Sequence, residues 1–120
     1  MAHDDATALK SATHTANGER EVAATWVATH SDAVRLIDVR EPHEVQICRI
    51  DPATRIPMGE VSKRKGELDA TCDLVVYCRS GVRSGKVVAF LRQNGFERAL
   101  NLKGGILEWI DKVDPTQPKY

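Results

Sequence analysis

The chain has 120 residues, and its 17 lysines and arginines balance 17 aspartates and glutamates. That length fits one domain, and the zero net charge gives a general nucleic-acid-binding or membrane-surface role no electrostatic support. Three cysteines without framework spacing argue against a disulfide-stapled secreted domain, no apolar run is long enough to span a bilayer, and no signal peptide is visible, so a reducing, cytoplasmic setting is expected.

Residues 1–18 are rich in Ala, Thr, His and Asp and read as a flexible N-terminal tail. His3 and His14 are too scattered there to suggest a metal site. Glu19 to Thr29 reads as a helix, because Val22, Trp26 and Val27 fall near one face. Val34 to Val39 reads as a buried strand. It is followed by a turn through Arg40 and Glu41 and a short helix from Pro42 to Ile47, with proline suited to the first turn. Thr54 to Ile56 is a second extended piece, and Met58 begins a short helix towards Leu68. The Lys63-Arg64-Lys65 run on that helix reads as a solvated face.

Asp73 to Tyr77 is the most apolar strand. It runs into Cys78 and a polar turn, and a helix from Val82 stops near Asn94-Gly95. Arg98 to Leu102 is another strand, Lys103-Gly104-Gly105 a tight loop, and Ile106 to Val113 a last helix in which Trp109 packs into the core. Pro115 and Pro118 end regular structure, so 19–113 is the expected domain and 114–120 a C-terminal tail. Alternating strands and helices imply an α/β sandwich around a mainly parallel sheet. Ligands of such sheets sit beyond the carboxyl ends of the strands. The loops after Asp38 and Tyr77 both lie on that edge.

A cysteine at a strand end, followed by a glycine-containing turn and a helix start, lies where several backbone N–H groups converge. There the reactive thiolate is favoured. Cys78 is the candidate nucleophile. Arg79, Ser80, Gly81, Val82, Arg83 and Ser84 form the candidate substrate cradle. Arg79 and Arg83 supply positive charge for an anionic donor. Asp38 is expected to brace the Cys78 loop through its carboxylate, with Arg40 as a second support. Cys48 and Cys72 lack such surroundings and read as structural. His43 reads as a surface residue, and Gly104-Gly105 as the solution to a sharp turn. Without a Cys-x-x-Cys pair no zinc site is expected.

Four stretches together resemble the rhodanese domain family, in the family's order. They are Leu36-Ile37-Asp38-Val39-Arg40-Glu41-Pro42-His43-Glu44, the Ile56-Pro57 turn, Val75 through Ser84, and Asn101-Leu102-Lys103-Gly104-Gly105-Ile106-Leu107-Glu108-Trp109. The resemblance covers Glu19 to Lys112. Glu44 to Ile50 and the ending from Val113 to Tyr120 look like rhodanese domains behind adenylating enzymes that act on ubiquitin-like sulfur carriers. No adenylating domain precedes these residues, which fits a free-standing relative or an excised domain.

The resemblance implies a three-layer rhodanese-like sandwich and transfer of sulfane sulfur through a Cys78 persulfide, with no metal or organic cofactor. It implies a small donor such as thiosulfate, and a ubiquitin-like sulfur carrier or a cysteine desulfurase as protein partners. Two other readings compete. Cysteine phosphatases and arsenate reductases also use a thiolate, an amide cradle and an arginine, but their loops usually hold five residues between cysteine and arginine. Here there are four, Arg79 to Val82. A non-catalytic rhodanese-like binding module is the other rival, disfavoured by the presence of Cys78 and Gly81. The sulfur-transfer reading requires the Cys78 side chain to face its own turn.

Overall fold

A computed structural model describes residues 8–14 and 20–120. Its elements in chain order are α1 (Ala8–Ser11), β1 (Thr13–His14), β2 (Arg20–Val22), α2 (Ala24–Thr29), β3 (Val34–Asp38), α3 (Pro42–Ile47), β4 (Thr54–Arg55), α4 (Val61–Arg64), β5 (Asp73–Tyr77), α5 (Val82–Gln93), β6 (Ala99–Leu102) and α6 (Gly105–Lys112). The strands form one sheet in the order β1-β2-β6-β5-β3-β4. All neighbours run parallel except β1, which pairs antiparallel with β2.

Alternation along the strands sorts the core into two layers. Val75 and Tyr77 of β5 join Leu36, Leu100 and Leu102 beneath α2 and α6. Leu74, Val76 and Cys78 point the other way and join Ile37, Val39 and Ala99 beneath α5, with Val87, Val88 and Leu91 as its contact face. Every residue of β5 is buried, as expected for a central parallel strand covered on both faces. The result is the three-layer sandwich with a mainly parallel sheet.

Register positions the site. Asp38 pairs with Tyr77, Asp38 also with Arg55, and Val76 with Asn101. The ends of β3, β5 and β6 therefore stand side by side, and the segments leaving them share one edge of the sheet.

Three expectations change. Arg20–Val22 is a strand rather than the start of a helix: Glu21 and Val22 pair with Asn101 and Leu102 of β6, a non-local partnership that outweighs helical spacing. Part of the expected N-terminal tail is ordered. Ala8 is buried in the core and its N–H donates to Asp73 Oδ2 at 3.2 Å, and Thr13 pairs with Glu21; residues 1–7 and 15–19 lie outside the described residues. The expected C-terminal tail docks as well. Gln117 exchanges hydrogen bonds with the backbone of Arg49, accepting from its N–H and donating to its C=O, each at 2.8 Å. No helix among the described residues is long and apolar enough to cross a membrane.

Candidate active site

β5 delivers Cys78 to the sheet edge, and Gly81, at φ +105°, turns the chain into α5. That left-handed conformation favours glycine. The turn folds the chain back over the sulfur. The Gly81 N–H donates to Cys78 Sγ at 3.1 Å and the Ser84 N–H at 3.4 Å, and Ser84 Oγ lies 3.3 Å away. Cys78 is only 1% exposed, yet its sulfur faces its own loop. Burial pushes the thiol upward. The Ser84 hydroxyl and the Ser84, Gly81 and Ser80 N–H groups outweigh it, so Cys78 ionises below the ordinary thiol range.

The loop is held in shape from behind. The first free N–H groups of α6 donate to it: Ile106 N–H to Cys78 C=O at 3.0 Å and Leu107 N–H to Arg79 C=O at 3.1 Å. These are groups a helix start leaves without intrahelical partners. The approach is close enough that a Cβ on Gly105, whose φ is +63°, would collide with the Arg79 carbonyl. Gly105 therefore admits the loop, and the Gly104-Gly105 turn sits against the site.

The two loop arginines have partners of their own. Arg83 forks onto Glu44 with two contacts of 2.8 Å. Glu44 also accepts from the Glu41 N–H at 2.9 Å and from the Tyr120 hydroxyl at 2.7 Å. The Arg83 guanidinium, against the opposing effect of burial, holds the Glu44 carboxyl down at about 2. Arg79 is exposed; its Nε donates to the Tyr120 C=O at 2.7 Å, and its guanidinium lies 5.2 Å from the Tyr120 ring centre. Ser80 and Val82 turn their side chains outward, Val82 being 66% exposed, so both belong to the loop through their backbone.

Asp38 plays a different part from the one expected. Its carboxylate is forked by Arg40, with Nε–Oδ1 at 2.9 Å and Nη2–Oδ2 at 2.7 Å, and it also takes the Arg40 N–H at 3.0 Å. Arg40, 1% exposed, reaches on to the carbonyls of Glu44 at 3.2 Å and Cys48 at 2.8 Å. The pair braces the β3–α3 connection and the position of Glu44, and through Glu44 that of Arg83. Among the described residues no group of three or more His, Cys, Asp or Glu side chains could hold a metal ion.

Three residues at the site were not anticipated. Asn101 donates from Nδ2 to Gly81 C=O at 3.1 Å and accepts from Ser84 Oγ at 2.6 Å. Its signal was present: a polar residue between Leu100 and Leu102 faces the opposite side of the sheet from them, here the side of α5. The pairing of Glu44 with Arg83, and of Tyr120 with Arg40 and Glu44, carried no local signal, because these partners lie 39 to 80 positions apart.

A buried, readily ionised thiol at the end of a central parallel strand, with backbone amides turned onto it, places the chain among small α/β domains built around a cysteine-bearing loop. The chain belongs to the rhodanese-like domain family, whose model matches residues 23–112. It is 42% identical over 79 residues to a protein named sulfurtransferase from Allochromatium vinosum, covering 66% of this chain and 74% of that one. It is 34% identical along its whole length to the probable adenylyltransferase/sulfurtransferase MoeZ of Mycobacterium tuberculosis, of which it spans 30%. Among solved structures, a rhodanese-related protein from Thermoplasma volcanium superposes with a TM-score of 0.74 at 30% identity, covering 78% of this chain and 92% of that one.

Two outcomes follow from the supports. Gly105→Ala forces α6 off the loop, and the unfolding midpoint in urea is expected to reveal a loss of at least about 2 kcal/mol. Glu44, depressed on folding, stabilises the protein above its unfolded ionisation range near pH 4 and loses that contribution as pH falls towards about 2. In acid titrations followed by circular dichroism, Glu44→Gln should be less stable than the parent at pH 6, and the difference should shrink as pH falls through that interval.

Proposed function

We propose that this protein is a rhodanese-type sulfurtransferase that carries sulfane sulfur as a persulfide on Cys78. The observation that carries the reading is the set of donors within 3.1–3.4 Å of Cys78 Sγ, from Gly81 and Ser84. In the first half-reaction the thiolate attacks the outer sulfur of thiosulfate. An S–S bond forms to Cys78, the S–S bond of thiosulfate breaks, and sulfite leaves with the electron pair. In the second, a thiophilic acceptor such as cyanide attacks the terminal sulfur, and the electron pair of the broken S–S bond returns to Cys78 as thiolate. Preorganised amides stabilise negative sulfur at each stage without a general base, each well-aimed donor contributing a few kcal/mol.

Arg79, Ser80, Gly81, Val82, Arg83 and Ser84 form the donor-binding loop in this reading. Arg79 contributes charge that a donor can reach, while the Arg83 charge is balanced by Glu44. Asp38 and Arg40 are supports. Sulfur supply from a protein persulfide such as that of a cysteine desulfurase, and delivery to a ubiquitin-like carrier, draw support from the similarity to MoeZ and to the putative sulfur carrier protein YrkF of Bacillus subtilis. Three free cysteines are compatible with a reducing cytoplasmic location.

Incubation with thiosulfate should add the mass of one sulfur atom, absent in Cys78→Ser, and addition of cyanide should remove it with formation of thiocyanate. Thiocyanate production no greater than that of Cys78→Ser would favour a non-catalytic binding module. Arg79→Ala, at an exposed position, should raise KM for thiosulfate about three- to ten-fold with little change in the unfolding midpoint.

A further inference from the structure

The Ser84 hydroxyl carries one proton and has two acceptors in reach, Asn101 Oδ1 at 2.6 Å and Cys78 Sγ at 3.3 Å. The orientation of Asn101 decides between them. Its Nδ2 donates to the Gly81 carbonyl at 3.1 Å, and a flipped amide would set two oxygens against each other. Asn101 therefore presents an acceptor to Ser84 and has no proton to give it. The side chain is buried at 3% exposure, so water does not readily replace the hydroxyl as its partner. The shorter contact takes the proton, and a lone pair of Ser84 Oγ faces the sulfur. That arrangement suits a Cys78 S–H donating to Ser84, and it opposes a thiolate.

We propose that Asn101 is a positioning residue that holds the Ser84 proton away from Cys78 while the sulfur is protonated, and that the hydroxyl turns to the sulfur as the thiolate forms. No covalent bond changes in this step: the thiol proton leaves to solvent, and the hydroxyl proton exchanges Asn101 Oδ1 for Sγ as its acceptor. Asn101 then gives up a hydrogen bond when the nucleophile is generated, which tempers the reactivity of a thiol that the amides would otherwise ionise further. The functional meaning rests on Cys78 being the sulfur carrier; the proton assignment does not.

The charged groups around Cys78 stay in place in the test. Arg83 of α5 interacts with the Cys78 charge and is held by Glu44 of α3, Arg79 follows Cys78 in the loop, and Asp38 at the end of β3 and Arg40 just beyond it neutralise each other. Asn101→Leu removes the acceptor at nearly constant volume. It also removes the Nδ2 donor, but the Gly81 carbonyl keeps the Gly85 N–H at 3.1 Å.

The experiment is the pH profile of Cys78 alkylation by iodoacetamide, located by peptide mass spectrometry, in the parent, Asn101→Leu, Ser84→Ala and the double variant. Freed from Asn101, the Ser84 proton should raise the ionised fraction, well below the midpoint, about five-fold. The same Asn101→Leu change in the Ser84→Ala background should give no increase. An unchanged or lower ionised fraction in Asn101→Leu, or an equal increase without Ser84, overturns the inference. If Asn101→Leu does not fold, infrared difference spectra against Cys78→Ser decide: the Cys78 S–H stretch should lie lower in the parent than in Ser84→Ala, and coincident bands overturn it. Failure of persulfide formation with the alkylation cycle as expected would sink the sulfur-transfer reading alone.

Discussion

The site depends on two backbone hydrogen bonds, from Ile106 and Leu107 at the start of α6 to the carbonyls of Cys78 and Arg79. In a trans peptide the C=O and the following N–H point in opposite directions. Holding the Cys78 and Arg79 carbonyls outward, against α6, turns the Arg79 and Ser80 N–H groups inward. A third plane is set the same way, since the Gly81 carbonyl is taken by Asn101 Nδ2 and the Gly85 N–H. The Ser80 amide on the sulfur is thus oriented from the outer side of the loop, by an element that follows it in the sequence. Gly105 permits this because any side chain there would occupy the space of the Arg79 carbonyl.

Charge is organised with similar economy. Asp38, Arg40, Glu44, Arg83 and Tyr120 form one network in which the acidic and basic partners meet through forked or doubly bonded contacts. Removing a single partner from such a network leaves its neighbour desolvated and unpaired, which costs more than the pair contributes. The network joins the β3–α3 connection to α5 and to Tyr120, so segments leaving different strands are tied together. It also leaves Arg79, and not Arg83, as the exposed charge of the loop.

Much of this was legible in local pattern. β5, Cys78 and α5 announce themselves as an apolar run, a glycine turn and a helical face, and the parallel sheet follows from alternation of strands and helices. What escaped is non-local. Val22, Trp26 and Val27 have helical spacing, yet Val22 is claimed by β6 and only Ala24–Thr29 is helical. Ala8 and Gln117 sit in stretches of tail-like composition, but Ala8 fills a core position and Gln117 pairs with a backbone 68 positions away. Asp38 was read as facing the Cys78 loop because their strand ends are neighbours; Arg40, two residues on, is nearer and carries charge. Asn101 was readable from strand alternation alone, because an amide flanked by Leu100 and Leu102 has to find partners on the opposite face.

Burial and reactivity are usually opposed for cysteine, since desolvation disfavours the thiolate. Cys78 meets both conditions because its environment is apolar on the sheet side and densely polar on the loop side. Val76, Val87 and Val88 in the surrounding layer exclude water, which raises the value of each amide aimed at the sulfur. The same enclosure explains why the proton of one serine matters, because inside a water-poor cradle a single donor redirected by Asn101 has no solvent molecule to take its place.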